Sequence, residues 1–410
     1  MTSQNNNDME INHIPISSDT GDALFKPAAS SIGNAVGTVL DGIFHVVLDP
    51  VRKFNIQKEH DLKIVFTPLH GTTYELVPAS LRNWGFTNIH TVPEQSIPDG
   101  DFPTVASANP EEPAAFKMAL DLARKIDADL AMACDPDGDR IGIAVKNDAG
   151  EWTLLNGNQT NIIFTEYIIR RKKELNQLKG GEYTVKTIVT TELIKDIAEK
   201  NHIICYDVYT GFKWIADIIR KEGGEKFIGG GEESFGYMPG AFTRDKDGVS
   251  ATSLMAEIAA WVKMQNKTLY SFLKEIYAKY GFSQERMIYI VRKGLSGAQE
   301  IKAMMEEFRH NTPKEINHSP VVLKKDYLSL EATNLQTGEK THLDFETKSD
   351  VLQFFLADGS KISVRPSGTE PKIKFYFEAR TQMKDINDYE RAQQEANARI
   401  DAIIEYLKIQ

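Results

Sequence analysis

The sequence has 410 residues, of which 41% are hydrophobic and 26% charged, a composition typical of a globular protein with roughly two to four domains. Its formal net charge of -10 repels phosphate backbones, which argues against nucleic acid as the main partner. The only cysteines in the sequence, Cys134 and Cys205, are too few for a disulfide scaffold or a zinc cluster.

The first 60 residues differ in texture from the rest and are predicted to form an atypical, partly disordered tail. They lack a basic stretch followed by an apolar core, so no secretory signal is indicated and the cytoplasm is the predicted location. Residues 32–51 are the most apolar part, but Asn34, Asp41 and Asp49 argue against a membrane span. We predict a helix there, with a helix lying on a membrane surface as the alternative.

Residues 61–180 are predicted to form a first α/β domain. Apolar runs and helical periodicity alternate there: strand 62–66, helix 74–84, strand 89–92, helix 112–125, strands 130–134 and 141–145, and helix 159–171.

After the linker glycines Gly180 and Gly181, residues 181–281 repeat this alternation. Strand 185–190, a helix ending at Lys200, strand 203–208 and a helix from Gly211 predict a second, similar α/β domain. Residues 282–410 instead place strand 287–291 and helix 296–310 before three strands near Leu352, Ile362 and Ile373 and a final helix. The predicted fold class is therefore α/β, with two similar mixed-sheet, three-layer domains followed by a smaller α+β domain.

The segment Asp135-Pro-Asp-Gly-Asp-Arg140, hereafter the metal loop, follows a buried strand. Its Pro and Gly favour a turn that brings Asp135, Asp137 and Asp139 together, and three hard oxygen ligands suit Mg²⁺. A solvated acidic turn is the plain alternative. An EF-hand is excluded because Arg140 and Lys146 stand where its glycine and glutamate are required. A phosphatase with Asp135 as nucleophile stays open.

The segment Gly229-Gly-Gly-Glu-Glu-Ser-Phe-Gly236, hereafter the sugar loop, combines a flexible backbone with two carboxylates and a hydroxyl. Such groups recognise sugar hydroxyls, although a glycine run alone is a weak signal.

The segment Arg365-Pro-Ser-Gly-Thr-Glu-Pro371, hereafter the phosphate loop, joins a guanidinium to two hydroxyls and an accessible backbone amide, which predicts phosphate binding over a plain hairpin turn. The run Lys372-Ile-Lys-Phe-Tyr-Phe377 alternates as a strand with one buried face, which we prefer to a nucleic-acid stacking surface.

These three loops, in this order, resemble those of the α-D-phosphohexomutases, the phosphoglucomutase/phosphomannomutase family. Shorter matches are Thr67-Pro-Leu-His-Gly71, Asn109-Pro-Glu111, Thr210-Gly-Phe-Lys213 and Arg244-Asp-Lys-Asp-Gly248, so the resemblance extends from about residue 62 to the end of the chain.

The resemblance implies an isomerase of carbohydrate metabolism that moves a phosphoryl group between the 1- and 6-positions of a hexose phosphate. Its substrates would be glucose or mannose 1- or 6-phosphate and the hexose 1,6-bisphosphate. It implies that Asp135, Asp137 and Asp139 hold Mg²⁺, that Glu232 and Ser234 bind the sugar with Lys213 and Arg140 as accessory contacts, and that Arg365, Ser367, Gly368 and Thr369 hold the non-reacting phosphate.

One family feature is missing from the sequence. The family's phosphorylated serine lies in a Thr-x-Ser-His-Asn-Pro loop of an additional first domain, hereafter the serine domain, and the sequence contains no such loop. Ser30 lacks the neighbouring His and Pro, and Ser107 matches Ser-x-Asn-Pro only within the Asn109-Pro-Glu motif. No catalytic serine is therefore identified.

We expect from this difference that mutase activity is impaired in this chain alone. The alternatives are a sugar-phosphate-binding protein without turnover, a subunit completed by a separately encoded serine domain, and a phosphatase that uses Asp135.

Overall fold

The computed structural model describes residues 61–292, 294–368 and 371–409 of the chain, except for the side chain of Leu295. The tail predicted for residues 1–60, with its helix at 32–51 and Ser30, lies outside the described residues. So does Thr369 of the phosphate loop.

The first unit is a five-stranded sheet with helices on both faces. Its strands run in the order β2-β1-β3-β4-β5, with β1 parallel to β2 and β3, and with β4 and β5 antiparallel. The elements are β1 (Ile64–Thr67), α1 (Leu76–Asn83), β2 (Ile89–Thr91), α2 (Lys117–Ile126), β3 (Leu130–Cys134), β4 (Ile141–Lys146), β5 (Trp152–Leu155) and α3 (Gly157–Glu174).

Two details of this unit differ from the sequence prediction. Helix α2 begins at Lys117 rather than near residue 112, because the chain first makes turns in which Ala115 N donates to Glu112 O and Phe116 N to Pro113 O. Pro113 has no backbone N–H, so it cannot donate a helical hydrogen bond. Strand β5 was not predicted, and three of its four residues are only half-buried, which weakens the apolar pattern.

The second unit repeats the first with one strand fewer. Its order is β7-β6-β8-β9, with β6 parallel to β7 and β8 and with β9 antiparallel, as in β2-β1-β3-β4. Its elements are β6 (Tyr183–Thr187), α4 (Leu193–Lys200), β7 (Ile204–Val208), α5 (Phe212–Glu222), β8 (Phe227–Gly231), β9 (Tyr237–Met238), α6 (Gly248–Met264) and α7 (Leu269–Tyr280). The predicted strand 185–190 therefore ends at Thr187, and residues 188–192 turn toward the third unit.

The third unit is an antiparallel sheet with the path β10-β17-β16-β15-β12-β13-β14, and β11 pairs with β12 beside that path. Its elements are β10 (Phe282–Val291), α8 (Gly294–His310), β11 (Glu315–Ile316), β12 (Ser319–Asp326), β13 (Glu331–Asn334), β14 (Lys340–His342), β15 (Leu352–Leu356), β16 (Lys361–Pro366), β17 (Lys372–Thr381) and α9 (Tyr389–Tyr406). The run from Lys372 lies in β17, where Ile373, Phe375 and Phe377 are buried as predicted. Tyr376 on the opposite face is buried as well, so the prediction of a single buried face is wrong from Tyr376 onward.

The predicted fold class is thus confirmed as two α/β units with mixed sheets followed by a sheet-rich unit. Within the described part of the chain, no helix is both long and apolar enough to span a membrane.

Candidate functional site

The metal loop is a tight turn at the end of the buried strand β3. Gly138 N donates to Asp135 O at 3.0 Å, and Gly138 has a φ of +78°, which favours glycine. A Cβ at this position would lie 2.5 Å from Thr73 Cγ2. The turn brings carboxylate oxygens of Asp135, Asp137 and Asp139 within 4.8 Å of one another.

The electrostatics of this loop favour a cation. Burial raises the pKa of Asp135 to about 7, and the neighbouring charges of Asp139 and Asp137 add to that increase. Backbone N–H groups of Asp139 and Arg140 donate to Asp135 Oδ1 at 3.1 and 2.9 Å and oppose it. Three clustered oxygen ligands, one of them poorly solvated, fit a hard divalent cation such as Mg²⁺.

Lys246 is a member of this site that the sequence analysis did not single out. Its Nζ lies 2.5 Å from Asp139 Oδ2, and its side chain is only 18% exposed. The next residue, Asp247, caps α6 by accepting from the N–H groups of Val249 and Ser250. Lys246 lies in the segment Arg244-Asp-Lys-Asp-Gly248, which matches a family motif in the sequence but was assigned no role.

Two contacts hold the sugar loop against the metal loop. Ile141 N donates to Phe235 O at 3.0 Å, and Arg140 forms a β-bridge with Gly236. Gly157, at the start of α3, lies so close that a Cβ there would be 2.0 Å from Glu233 O. The glycines of this region, including Gly138 with its positive φ, therefore allow the backbones to pack closely.

The two carboxylates of the sugar loop are held by the second unit. Glu232 Oε1 accepts a hydrogen bond from Gly211 N at the start of α5, and Glu233 Oε2 accepts from the hydroxyls of Thr187 and Thr190 at 3.1 and 3.2 Å. Burial raises the pKa of Glu232 to about 7, and the charge of Glu233 adds to the shift. A raised pKa favours the protonated carboxyl, which can donate as well as accept hydrogen bonds.

The phosphate loop joins β16 to β17 and is closed by Ser367 N, which donates to Lys372 O at 2.8 Å. Arg365 stands directly opposite Lys374 in the strand register. Two cations placed across from each other repel, unless an anion lies between them. Burial raises the pKa of Tyr376, while a hydrogen bond between its side chain and Arg365 opposes the shift. Lys374 and Tyr376 were not predicted as site residues, because the alternation of this strand explained them as core or surface.

One cleft of about 920 Å³ connects the three units. Four predicted site residues line it, one or more from each unit: Arg140, Glu232, Ser234 and Arg365. Lys374, Tyr376 and Glu111 line it as well, and Glu111 Oε1 lies 3.5 Å from Arg140 Nη1. The geometry thus places residues that were predicted to bind the sugar and the phosphate around one space.

Other predicted site residues lie outside the cleft lining. Lys213 is exposed, with its Nζ 4.9 Å from the centre of the Trp214 ring. Ser367 and Gly368 follow Arg365 in the phosphate loop, and Asp135 and Asp139 lie beside Arg140, with carboxylate oxygens 3.6 and 3.9 Å from its Nε. Ser107 Oγ donates to Glu112 Oε1 at 3.0 Å, and Glu112 itself lines the cleft.

Three consecutive family models match the chain. They are "Phosphoglucomutase/phosphomannomutase, alpha/beta/alpha domain II" at residues 46–150, "alpha/beta/alpha domain III" of the same family at residues 156–280, and its "C-terminal domain" at residues 303–398. The first match begins at residue 46, upstream of the point where the motifs were recognised.

Curated relatives and solved structures agree with these matches. A phosphoglucomutase of Staphylococcus aureus strain MRSA252 is 37% identical over 341 residues, which cover 83% of this chain and 60% of the relative. That of strain USA300 is 38% identical over 317 residues, covering 77% of this chain and 56% of the relative. The chain therefore spans about 60% of the length of the curated relatives it matches.

Two solved structures share the fold. The phosphoglucomutase pp63/parafusin from Paramecium, in an open form, superposes with a TM-score of 0.59 at 17% identity, covering 84% of this chain and 57% of that one. A putative phosphomannomutase from Thermus thermophilus has a TM-score of 0.56 at 18% identity, covering 89% of this chain and 65% of that one.

Proposed function

Because the chain belongs to the phosphoglucomutase/phosphomannomutase family, we propose that it binds hexose phosphates in the cleft between the three loops. The reaction it takes part in is the transfer of a phosphoryl group between the 1- and 6-positions of the sugar. The observation that carries this proposal is the cleft itself, which gathers Arg140, Glu232, Ser234 and Arg365 from three separate units.

At one end of the cleft, the phosphate loop holds the non-reacting phosphate. Arg365 forms a bidentate pair with it, and Ser367, Gly368 and Thr369 donate further hydrogen bonds. Lys374, directly opposite Arg365, adds a second positive charge. Tyr376 orients the guanidinium through their hydrogen bond. Glu232 and Ser234, which line the cleft, bind sugar hydroxyls, with Arg140 of the lining and Lys213 outside it as accessory contacts.

The metal loop, which contributes Arg140 to the cleft lining, serves the reacting phosphate. Asp135, Asp137 and Asp139 would hold Mg²⁺, which when bound offsets the negative charge that develops during phosphoryl transfer. The chain's own contribution is to orient these ligands. Backbone N–H groups fix Asp135, and Lys246 fixes Asp139 while adding a positive charge beside the transferred group.

None of the recognised motifs supplies a residue that carries the phosphoryl group during the reaction. We propose that the 410 residues bind the substrate and that turnover also requires a serine domain, in the same or in another polypeptide. A sensor that binds hexose phosphates without turnover is the second candidate.

A phosphatase that uses Asp135 remains the third candidate. Asp135 Oδ1 is already occupied by two backbone N–H groups, which leaves Oδ2 for attack on phosphorus. This candidate requires Mg²⁺-dependent release of inorganic phosphate that disappears in Asp135→Asn.

The test is a coupled mutase assay with glucose 1-phosphate, Mg²⁺ and catalytic glucose 1,6-bisphosphate, run beside calorimetric binding of glucose 1-phosphate. We expect binding without turnover in the chain alone, and turnover after a serine domain of a Staphylococcus aureus relative is added. Intact-mass analysis then reports any phosphorylated serine. Absence of binding would refute the proposal, and turnover by the chain alone with phosphate on Ser107 would refute the missing carrier.

A further inference from the structure

The turn at residues 188–192, hereafter the linking turn, lies between the sugar loop and the sheet that carries the phosphate loop. It follows β6, which ends at Thr187, and precedes α4, which begins at Leu193. Thr190 and Thr191, two of its five residues, are at most 1% exposed. A buried turn must satisfy its backbone groups through specific partners, and these partners come from both neighbouring units.

On one side, the linking turn holds the sugar loop. Thr190 Oγ1 donates to Glu233 Oε2 at 3.2 Å, and Thr187, just before the turn, donates to the same oxygen at 3.1 Å. Thr191 N donates to Asn158 Oδ1 at 2.9 Å, which ties the turn to the start of α3. The position of Glu233 therefore depends on the position of this turn.

On the other side, Lys361 of β16 grips the turn. Its Nζ donates to Thr190 O at 3.1 Å and to Ile188 O at 3.4 Å, and it forms an ion pair of 2.7 Å with Glu192 Oε1. Lys361 is 2% exposed, so its charge depends on buried partners such as these.

Glu378 of β17 also contacts the linking turn, and it pairs with Lys361. Its two carboxylate oxygens accept from Glu192 N at 3.0 and 3.1 Å, and Oε2 lies 3.1 Å from Lys361 Nζ. Gln353 Nε2 donates to Ile188 O at 2.7 Å. Burial alone would raise the pKa of Glu192, but Lys186 and Lys361 lower it, so the ion pair stays charged.

The same strands carry the phosphate-binding groups. Lys361 and Arg365 lie four residues apart on β16 and share a face, which separates them by about 13 Å along the strand. Lys361 pairs with Glu378 in the register, and Arg365 pairs with Lys374. A change in how Lys361 sits on the linking turn would therefore tilt or shift Arg365 relative to Glu233.

We propose that the linking turn, held by Lys361 and Glu378, fixes the spacing between the sugar loop and the phosphate loop and so makes the cleft select a hexose phosphate over a free phosphate ion. This inference rests on the proposed function. An apolar contact would tolerate sliding, whereas a buried ion pair with several backbone hydrogen bonds has one favourable arrangement. Lys361, Glu378 and Thr190 are positioning residues in this scheme.

The test compares the affinities for glucose 1-phosphate and inorganic phosphate, both measured by calorimetry. Inorganic phosphate needs only the phosphate loop, whereas glucose 1-phosphate needs both loops at the correct spacing. The main variant is Lys361→Met with Glu378→Gln, which removes the ion pair without changing net charge. Lys361→Arg is the conservative control, and Thr190→Val, which removes the hydroxyl bonded to Glu233 at constant shape, perturbs the turn from the opposite side.

We expect the wild type to bind glucose 1-phosphate at least tenfold more tightly than inorganic phosphate. The double variant and Thr190→Val should lose most of that preference while inorganic phosphate affinity stays within about twofold, and Lys361→Arg should retain it. An unchanged preference in Thr190→Val and the double variant, or an equal loss of both affinities, would overturn the inference. A wild type without any preference would instead overturn the proposed function.

Discussion

Lys246 offers a prediction in which one substitution has opposite effects on two ligands. The ammonium lies 2.5 Å from Asp139 Oδ2. A Mg²⁺ ion bound to that carboxylate at about 2.1 Å would be roughly 4 to 5 Å from the Lys246 charge. Lys246→Met should therefore strengthen Mg²⁺ binding, because a repulsive charge is removed, and weaken hexose phosphate binding, because an attractive one is lost.

The size of the effect follows from Coulomb's law. A single and a double charge about 4.5 Å apart repel by about 2 kcal/mol in a water-like dielectric, and by more in a less polar site. Lys246 is partly buried, so about 2 kcal/mol is a lower estimate, and Mg²⁺ affinity should rise by about 30-fold or more. The affinity for glucose 1-phosphate should fall by a similar factor.

Calorimetric titrations with MgCl₂ and with glucose 1-phosphate measure both effects. Lys263→Met is the matched control, since Lys263 lies near the far end of α6, about 22 Å along the helix from its start. That variant changes net charge equally and should leave both affinities within about twofold. Unchanged or weaker Mg²⁺ binding in Lys246→Met would refute the placement of Mg²⁺ beside Asp139.

Three further predictions concern other parts of the molecule. Burial raises the pKa of Glu257 to about 8, so the folded state favours the protonated form and the free energy of unfolding should fall as pH rises toward 8. Between pH 6 and 8, urea unfolding should show that the free energy of unfolding falls by about 2 kcal/mol more in the wild type than in Glu257→Gln. Parallel pH profiles of the two proteins would contradict this. Gly157→Ala would place a Cβ 2.0 Å from Glu233 O and should weaken glucose 1-phosphate binding at least tenfold. The control Gly100→Ala places its Cβ in open space and should leave the affinity unchanged. Equal affinities in both variants would refute the close packing of the sugar loop. Arg365→Lys loses the bidentate geometry and should weaken inorganic phosphate binding by about tenfold, and an unchanged titration would exclude Arg365 as the phosphate ligand.

Much of the fold could be predicted because its signals are local. Apolar strands such as β3 and amphipathic helices such as α2 have periods that the sequence displays directly. Strands β11, β13 and β14 were missed because each has four residues or fewer, and β14 has no buried residue. Strand β12 is longer, but four of its eight residues are only half-buried and it shows no regular alternation. Their pairing depends on neighbours distant in the chain, which periodicity does not reveal.

The site was predictable where one short segment carries its chemistry, as in the metal loop. Lys246 and Tyr376 were not predicted, because each acts through a partner that is distant in the sequence or lies on the neighbouring strand. The partner is Asp139 for Lys246 and Arg365 for Tyr376. The linking turn escaped for the same reason. Its residues were predicted as the end of a strand, and only the tertiary structure brings Lys361 and Glu378 to it.

The central claim is that one cleft binds a hexose phosphate with groups from three units, and it is tested most directly by one set of calorimetric titrations with glucose 1-phosphate. The variants are Arg140→Met, Glu232→Gln and Arg365→Met, one from each unit, measured in the presence of Mg²⁺. We predict that the wild type binds and that each variant loses at least tenfold in affinity. Absence of binding by the wild type, or affinities unchanged in the Arg140 and Glu232 variants, would contradict the claim.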